Sequence, residues 1–236
     1  MGCCTALCPS WSEIVACPAN IIGCAAKPIN IALDAIRSAN ERVENLPLLG
    51  KLAVRITVGF AIGYFLMPMV SIVIAVAVTA LIGFDKMAKL QKEAPLYKGE
   101  MPSAFALCIV APVFEEVVFR GMIQPVVKKG VNFVASCCFA EATARKISVV
   151  VAVIFTSSLF GLAHMTNSAN PIVALPQVAV TTFGGIVMGL MKESGNLADD
   201  GPECCDNAWT KGMATCTATH IGNNSFVATI IYLAGK

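Results

Sequence analysis

The chain has 236 residues, 56% of them hydrophobic and 14% charged, with a net charge of +2 and a mean hydropathy of +0.72. An average soluble domain carries about 25% charged residues, so this balance excludes an ordinary soluble domain and points to an integral, multi-pass protein of the lipid bilayer. The small net charge, with no basic aromatic stripe, gives no footing for a nucleic-acid partner.

The length suits one compact all-α bundle, a polytopic transmembrane helical protein of about 5–7 spans. Residues 1–50 are expected to form an amphipathic, cysteine-rich amino-terminal region, and residues 51–236 the transmembrane domain. The start lacks the basic and continuously apolar stretches of a signal peptide, so the first span is expected to do the targeting. Eleven cysteines occur, five of them in the first 24 residues and six in the adjacent pairs Cys3-Cys4, Cys137-Cys138 and Cys204-Cys205. No CxxC pair repeats with zinc-site spacing, so ordinary thiols are expected. S-acylation at Cys3 and Cys4 or a loose metal site is the alternative; MGCCTA departs from a myristoylation signal at Ala6. From Pro28 to Leu46, Ile29, Leu33, Ile36 and Val43 fall on one helical face, predicting an interfacial amphipathic helix.

Residues 52–84 are apolar but for Arg55. As one helix they would reach roughly 50 Å against a hydrocarbon core of about 30 Å. They form either one tilted helix or two short spans broken near Pro68; the lysines at both ends favour two spans. A charged, exposed loop is expected from Asp85 to Glu100. Apolar segments follow at 102–127, closed by Lys128-Lys129, at 147–164, closed by His164, at 171–191, and at 213–235, which carries His220. The polar stretch 191–213 is expected as a loop. The pairs Gly59/Gly63 and Gly185/Gly189 would let helices approach closely.

Segment 102–127 holds Glu115, Glu116 and Arg120 near its middle. Each central charge costs roughly 2.5–3.5 kcal/mol in the bilayer, or on the order of 8–10 kcal/mol for three before pairing. Glu116 and Arg120 stand at i,i+4 with the acid first, the better order for an ion pair. Glu115 points about 100° away and is left to meet a group on another helix. The chain's two histidines both sit in apolar segments with a polar or aromatic companion one turn away: His164 after Phe160, His220 before Asn224. A carboxylate and an imidazole can deprotonate a water, and an imidazole and a carboxamide can donate to the oxyanion that forms when a carbonyl is attacked.

EEVVFRG, FGLAH and HIGNN, in that order, resemble the EExxxR, FxxxH and HxxxN motifs of the CPBP intramembrane proteases, the family of CAAX proteases and bacteriocin-processing enzymes that includes the type II CAAX prenyl endopeptidases. The resemblance covers a motif core of about residues 100–232. It implies a bundle around a membrane cavity and hydrolysis near the carboxyl terminus of a membrane-tethered protein or peptide, prenylated CAAX proteins being the family's best-known substrates and prenylation here being left open by the sequence. By motif position Glu115 would activate water with His164 as partner, Glu116 and Arg120 would support it, His220 and Asn224 would form the oxyanion hole, and Phe160 would pack beside the site. No cofactor is the expected state; zinc on Glu115, His164 and His220 is the alternative. The rival function is a catalytically silent scaffold or bacteriocin self-immunity protein of the same family. A transporter would call for repeats and broken helices in both halves, which the sequence lacks.

Overall fold

The computed structural model describes residues 42–43, 45–93, 103–193 and 212–234. The chain divides into two compact units, Met1–Lys51 and Leu52–Lys236. The amino-terminal cysteines lie outside the described residues, as do most of the segment 28–46 and the loop 194–211. The described residues contain no strand. Their helices are α1 (Leu48–Ile82), α2 (Phe84–Glu93), α3 (104–136), α4 (Glu141–Ala163), α5 (Pro171–Glu193) and α6 (Ala214–Ala234). A tighter turn, His164–Asn167, follows α4. Among the described residues three stretches are long and apolar enough to cross a membrane: Leu48–Ile82, Glu141–Asn167 and Pro171–Glu193. The fold is thus an all-α membrane bundle.

α1 is continuous over 35 residues, so of the two alternatives for 52–84 the single long helix is the one found, against the two spans that the flanking lysines favoured. Pro68 does not break it because the turn ahead, Ile62–Leu66, is wound as π-helix, and Met67 N–H reaches back to Ile62 O. A proline ring clashes with the carbonyl four residues earlier and offers no N–H; a wider turn relieves both problems. The same pairing recurs twice in α3, where π-turns at Ala106–Val110 and Val117–Ile123 precede Pro112 and Pro125.

Several boundaries move. The expected loop from Asp85 begins as helix α2, which buries Met87 while its lysines stay exposed. Gly83 makes the corner between α1 and α2 with φ of 97°, a conformation that favours glycine. α3 runs past Lys128-Lys129 to Ser136, because Lys128 turns back to Glu193 at 2.9 Å. α4 starts at Glu141 rather than 147. α5 keeps Lys192 and Glu193 as its last residues, and Glu193 is fully buried. There Glu193 accepts from Gln124 Nε2 at 2.9 Å and from Lys192 at 3.2 Å, tying α3 to α5.

Glycine sets the closest helix contacts. A Cβ on Gly59 or Gly63 would collide with the carbonyl of Thr215 or Thr219 on α6. A Cβ on Gly185 would stand 2.9 Å from Arg120 Nη2 and 3.0 Å from Ser157 Cβ, and one on Gly189 would press on Val153 and Gln124. Outside these contacts α1 presents Phe65, Leu66, Met69, Ile72, Val73 and Val76 to the exterior, the surface a bilayer covers.

Candidate active site

The site lies where α3, the end of α4, α5 and α6 enclose a cavity of about 510 Å³. Of the six residues singled out in the sequence, Glu115, His164, His220 and Asn224 line that cavity, and Phe160 lines it with them. Glu116 and Arg120 do not; both are fully buried behind it.

Consecutive helical residues point about 100° apart, and this separates the two glutamates. Glu115 faces the cavity with 29% of its side chain exposed, while Glu116 faces the bundle. Arg120 lies one turn on, its Nη1 3.2 Å from Glu116 Oε1. Its guanidinium carbon stands 4.5 Å from the centre of the Phe160 ring, within the range of a cation–π contact. Gly185 leaves the room that Nη2 occupies. The cation is therefore held by one carboxylate, one aromatic face and the missing side chain of a glycine.

His220 comes from α6 and sits between the glutamates. Its Nδ1 is 2.9 Å from Glu116 Oε1 and its Nε2 is 3.5 Å from Glu115 Oε2. Glu115, left without a local partner by its spacing, thus meets His220. His164, at the end of α4, places Nδ1 2.9 Å from Phe160 O. A carbonyl only accepts, so Nδ1 carries the proton and Nε2 is the nitrogen left for the cavity. Phe160 stands against both imidazoles edge-on, 4.9 Å from His164 and 5.6 Å from His220. Asn224, one turn beyond His220, donates Nδ2 to Leu107 O at 3.0 Å. Charges in this low-dielectric interior are matched in pairs, as burial requires.

Six further polar residues line the cavity: Ser71, Asn167, Gln177, Thr181, Thr219 and Asn223. Sequence reasoning passed over them. Gln177 carried the clearest signal, a lone amide in the uncharged stretch 171–191; Asn223 was hidden beside Asn224. Cys216 is fully buried and donates to Met213 O at 3.2 Å.

The zinc alternative can be set against this geometry. No three His, Cys, Asp or Glu side chains among the described residues gather at metal-ligand spacing. At the spacings seen here Glu115, His164 and His220 do not form a three-ligand zinc site.

A helical membrane bundle with a carboxylate–imidazole set at the wall of a cavity defines a polytopic membrane protein with a polar centre among its helices. The family model described as "Type II CAAX prenyl endopeptidase Rce1-like" matches residues 98–198. The match agrees with the CPBP resemblance over that segment, where the chain is similar to the Rce1-like CAAX-type intramembrane proteases. It contains the EEVVFRG and FGLAH motifs, while HIGNN lies beyond it. No curated protein and no solved structure matches the chain.

Proposed function

We propose that the protein is an intramembrane endopeptidase that cuts near the carboxyl terminus of a membrane-tethered protein of the prenylated CAAX type. The observation that carries this is the convergence of Glu115, His164, His220 and Asn224 on one cavity, with His220 held between two carboxylates. In the proposed mechanism a water sits between Glu115 and the free Nε2 of His164. As its oxygen bonds to the scissile carbonyl carbon, its proton passes to Glu115. Negative charge then moves to the carbonyl oxygen, where His220 Nε2–H and the spare N–H of Asn224 donate to it. Collapse breaks the C–N bond, and Glu115 returns the proton to the leaving amine. Glu116, kept ionised by Arg120, holds His220 in place through Nδ1 and never meets the substrate.

The test is cleavage of lipid-tethered peptides by purified, reconstituted protein, followed by mass spectrometry, with Glu115→Ala and His164→Ala beside the wild type. Cleavage by wild type and loss in both variants is the expected result. Equal inertness of all three folded proteins, on prenylated CAAX peptides and on a broad library, would overturn the reading in favour of a silent scaffold.

A further inference from the structure

In an unbroken α-helix Leu107 O would accept the N–H of Ala111. Here the π-turn at Ala106–Val110 diverts that donor, and Ala111 N–H goes to Ala106 O. The wider turn would offer Leu107 O the N–H of residue 112 instead, but residue 112 is proline and has none. Two local features together leave the Leu107 carbonyl without a backbone donor. Such a group is unfavourable inside a protein until something donates to it. The donor that arrives is Asn224 Nδ2, at 3.0 Å, from α6 and 117 residues along the chain.

This contact settles the direction of the Asn224 amide. A carboxamide can present either its oxygen or its nitrogen, and the two are close in shape. A carbonyl accepts only, so the nitrogen faces α3. The second N–H of that nitrogen has no partner among the described residues, and Asn224 lines the cavity. With the amide reversed, the oxygen would sit where a donor is needed.

We propose that Pro112 is a positioning residue for the reaction: acting through the Leu107 carbonyl, it fixes the Asn224 carboxamide with its nitrogen toward α3 and its spare N–H available to the cavity. Calling that N–H an oxyanion donor rests on the proposed function; the positioning itself rests on the hydrogen-bond pattern alone. Pro112→Ala adds an N–H that can reach Leu107 O and compete with Asn224.

The experiment has two readouts on full-length protein in micelles. Selective ¹⁵N-asparagine spectra follow the Asn224 side-chain NH₂, identified by its loss in Asn224→Ala. A kinetic cycle on a cleaved lipid-tethered peptide compares Pro112→Ala, Asn224→Ala and the double variant. The expected result is a moved Asn224 NH₂ signal in Pro112→Ala and a kcat lowered roughly five- to tenfold with little change in KM. Asn224→Ala lowers kcat by about 10²–10³, and Pro112→Ala adds nothing to it. An unmoved Asn224 signal, or full additivity of the two substitutions, overturns the inference. A moved signal in a protein inert on every peptide upholds the positioning and sinks the enzymatic reading instead. Where Pro112→Ala does not fold, an α-hydroxy acid at position 108, which makes the Leu107 carbonyl an ester and a poorer acceptor, is held to the same outcomes.

Discussion

Replacing Arg120 with methionine keeps most of the side chain's length and removes its charge. The guanidinium lies 3.2 Å from Glu116 with both side chains fully buried. At an effective dielectric of about 20 that separation corresponds to roughly 5 kcal/mol of attraction. Contact with the Phe160 face at 4.5 Å adds about 2 kcal/mol for a desolvated cation. Desolvation of both ions offsets much of this, so the pair itself contributes little net stability. Removing one partner is another matter, because Glu116 stays buried with only His220 to balance it. The expected loss is about 3–5 kcal/mol, a large part of the 5–15 kcal/mol typical of a folded protein. The double variant Glu116→Gln, Arg120→Met strands no charge and should recover at least about 2 kcal/mol of that loss. It should not recover activity, since His220 Nδ1 then faces a neutral amide. Equilibrium unfolding in mixed micelles measures the stabilities, and lipid-tethered peptide cleavage measures the activity. A single variant as stable as wild type, or a double variant no more stable than the single one, would refute the reasoning.

Gly185→Ala places a methyl group 2.9 Å from Arg120 Nη2 and should cost about 1–3 kcal/mol through overpacking, seen as a lowered unfolding midpoint together with lost cleavage. His164→Asn removes Nε2 from a half-buried position and should lower kcat by about 10²–10⁴ with the melting temperature unchanged; a parallel fall in both would make His164 structural. Glu193→Ala removes the carboxylate on which Gln124, Lys128 and Lys192 converge and should cost about 2–3 kcal/mol, measured by the same unfolding experiment, with the peptide cut at an unchanged bond. Incubation with a strong zinc chelator should leave cleavage intact, because Glu115, His164 and His220 do not gather at ligand spacing; loss that added zinc restores would refute that.

The elements of the fold were legible where hydropathy alone decides. Five apolar segments were expected, and helices α1, α3, α4, α5 and α6 cover them. Their ends were less legible because charge is a poor stop signal when a partner waits on another helix. Lys128 and Glu193 both looked like exits from the membrane, and each is kept inside its helix by the other. Pro68 looked like a break because a proline rule read on one helix omits the π-turn that accommodates it. The pairing of Glu116 with Arg120 followed from i,i+4 spacing and needed no tertiary information. The placement of His220 between two glutamates, 104 residues away in the chain, is a tertiary fact that no local pattern encodes. So is the bond from Asn224 to Leu107 O.

Adjacent glutamates solve a problem specific to chemistry in hydrocarbon, where net charge is costly at every stage. Helical geometry turns Glu115 and Glu116 about 100° apart, so one carboxylate can be structural and the other reactive without a second helix. Glu116 and Arg120 cancel each other and give His220 a fixed acceptor on Nδ1. Glu115 meets His220 Nε2 at 3.5 Å on the cavity wall. On the proposed mechanism, proton transfer from water neutralises Glu115 and creates the oxyanion in the same step. Negative charge moves from Glu115 to the substrate oxygen, and His220 Nε2 is within reach of both positions. The net charge of the cavity never changes, so the low dielectric that would penalise a new charge instead strengthens each hydrogen bond to the oxyanion. Glu115→Gln breaks this exchange without changing side-chain volume. It should therefore abolish cleavage while leaving the Glu116–Arg120 pair and the unfolding midpoint intact. A variant that lost stability as well would show that Glu115 supports the fold and is not held in reserve for the reaction.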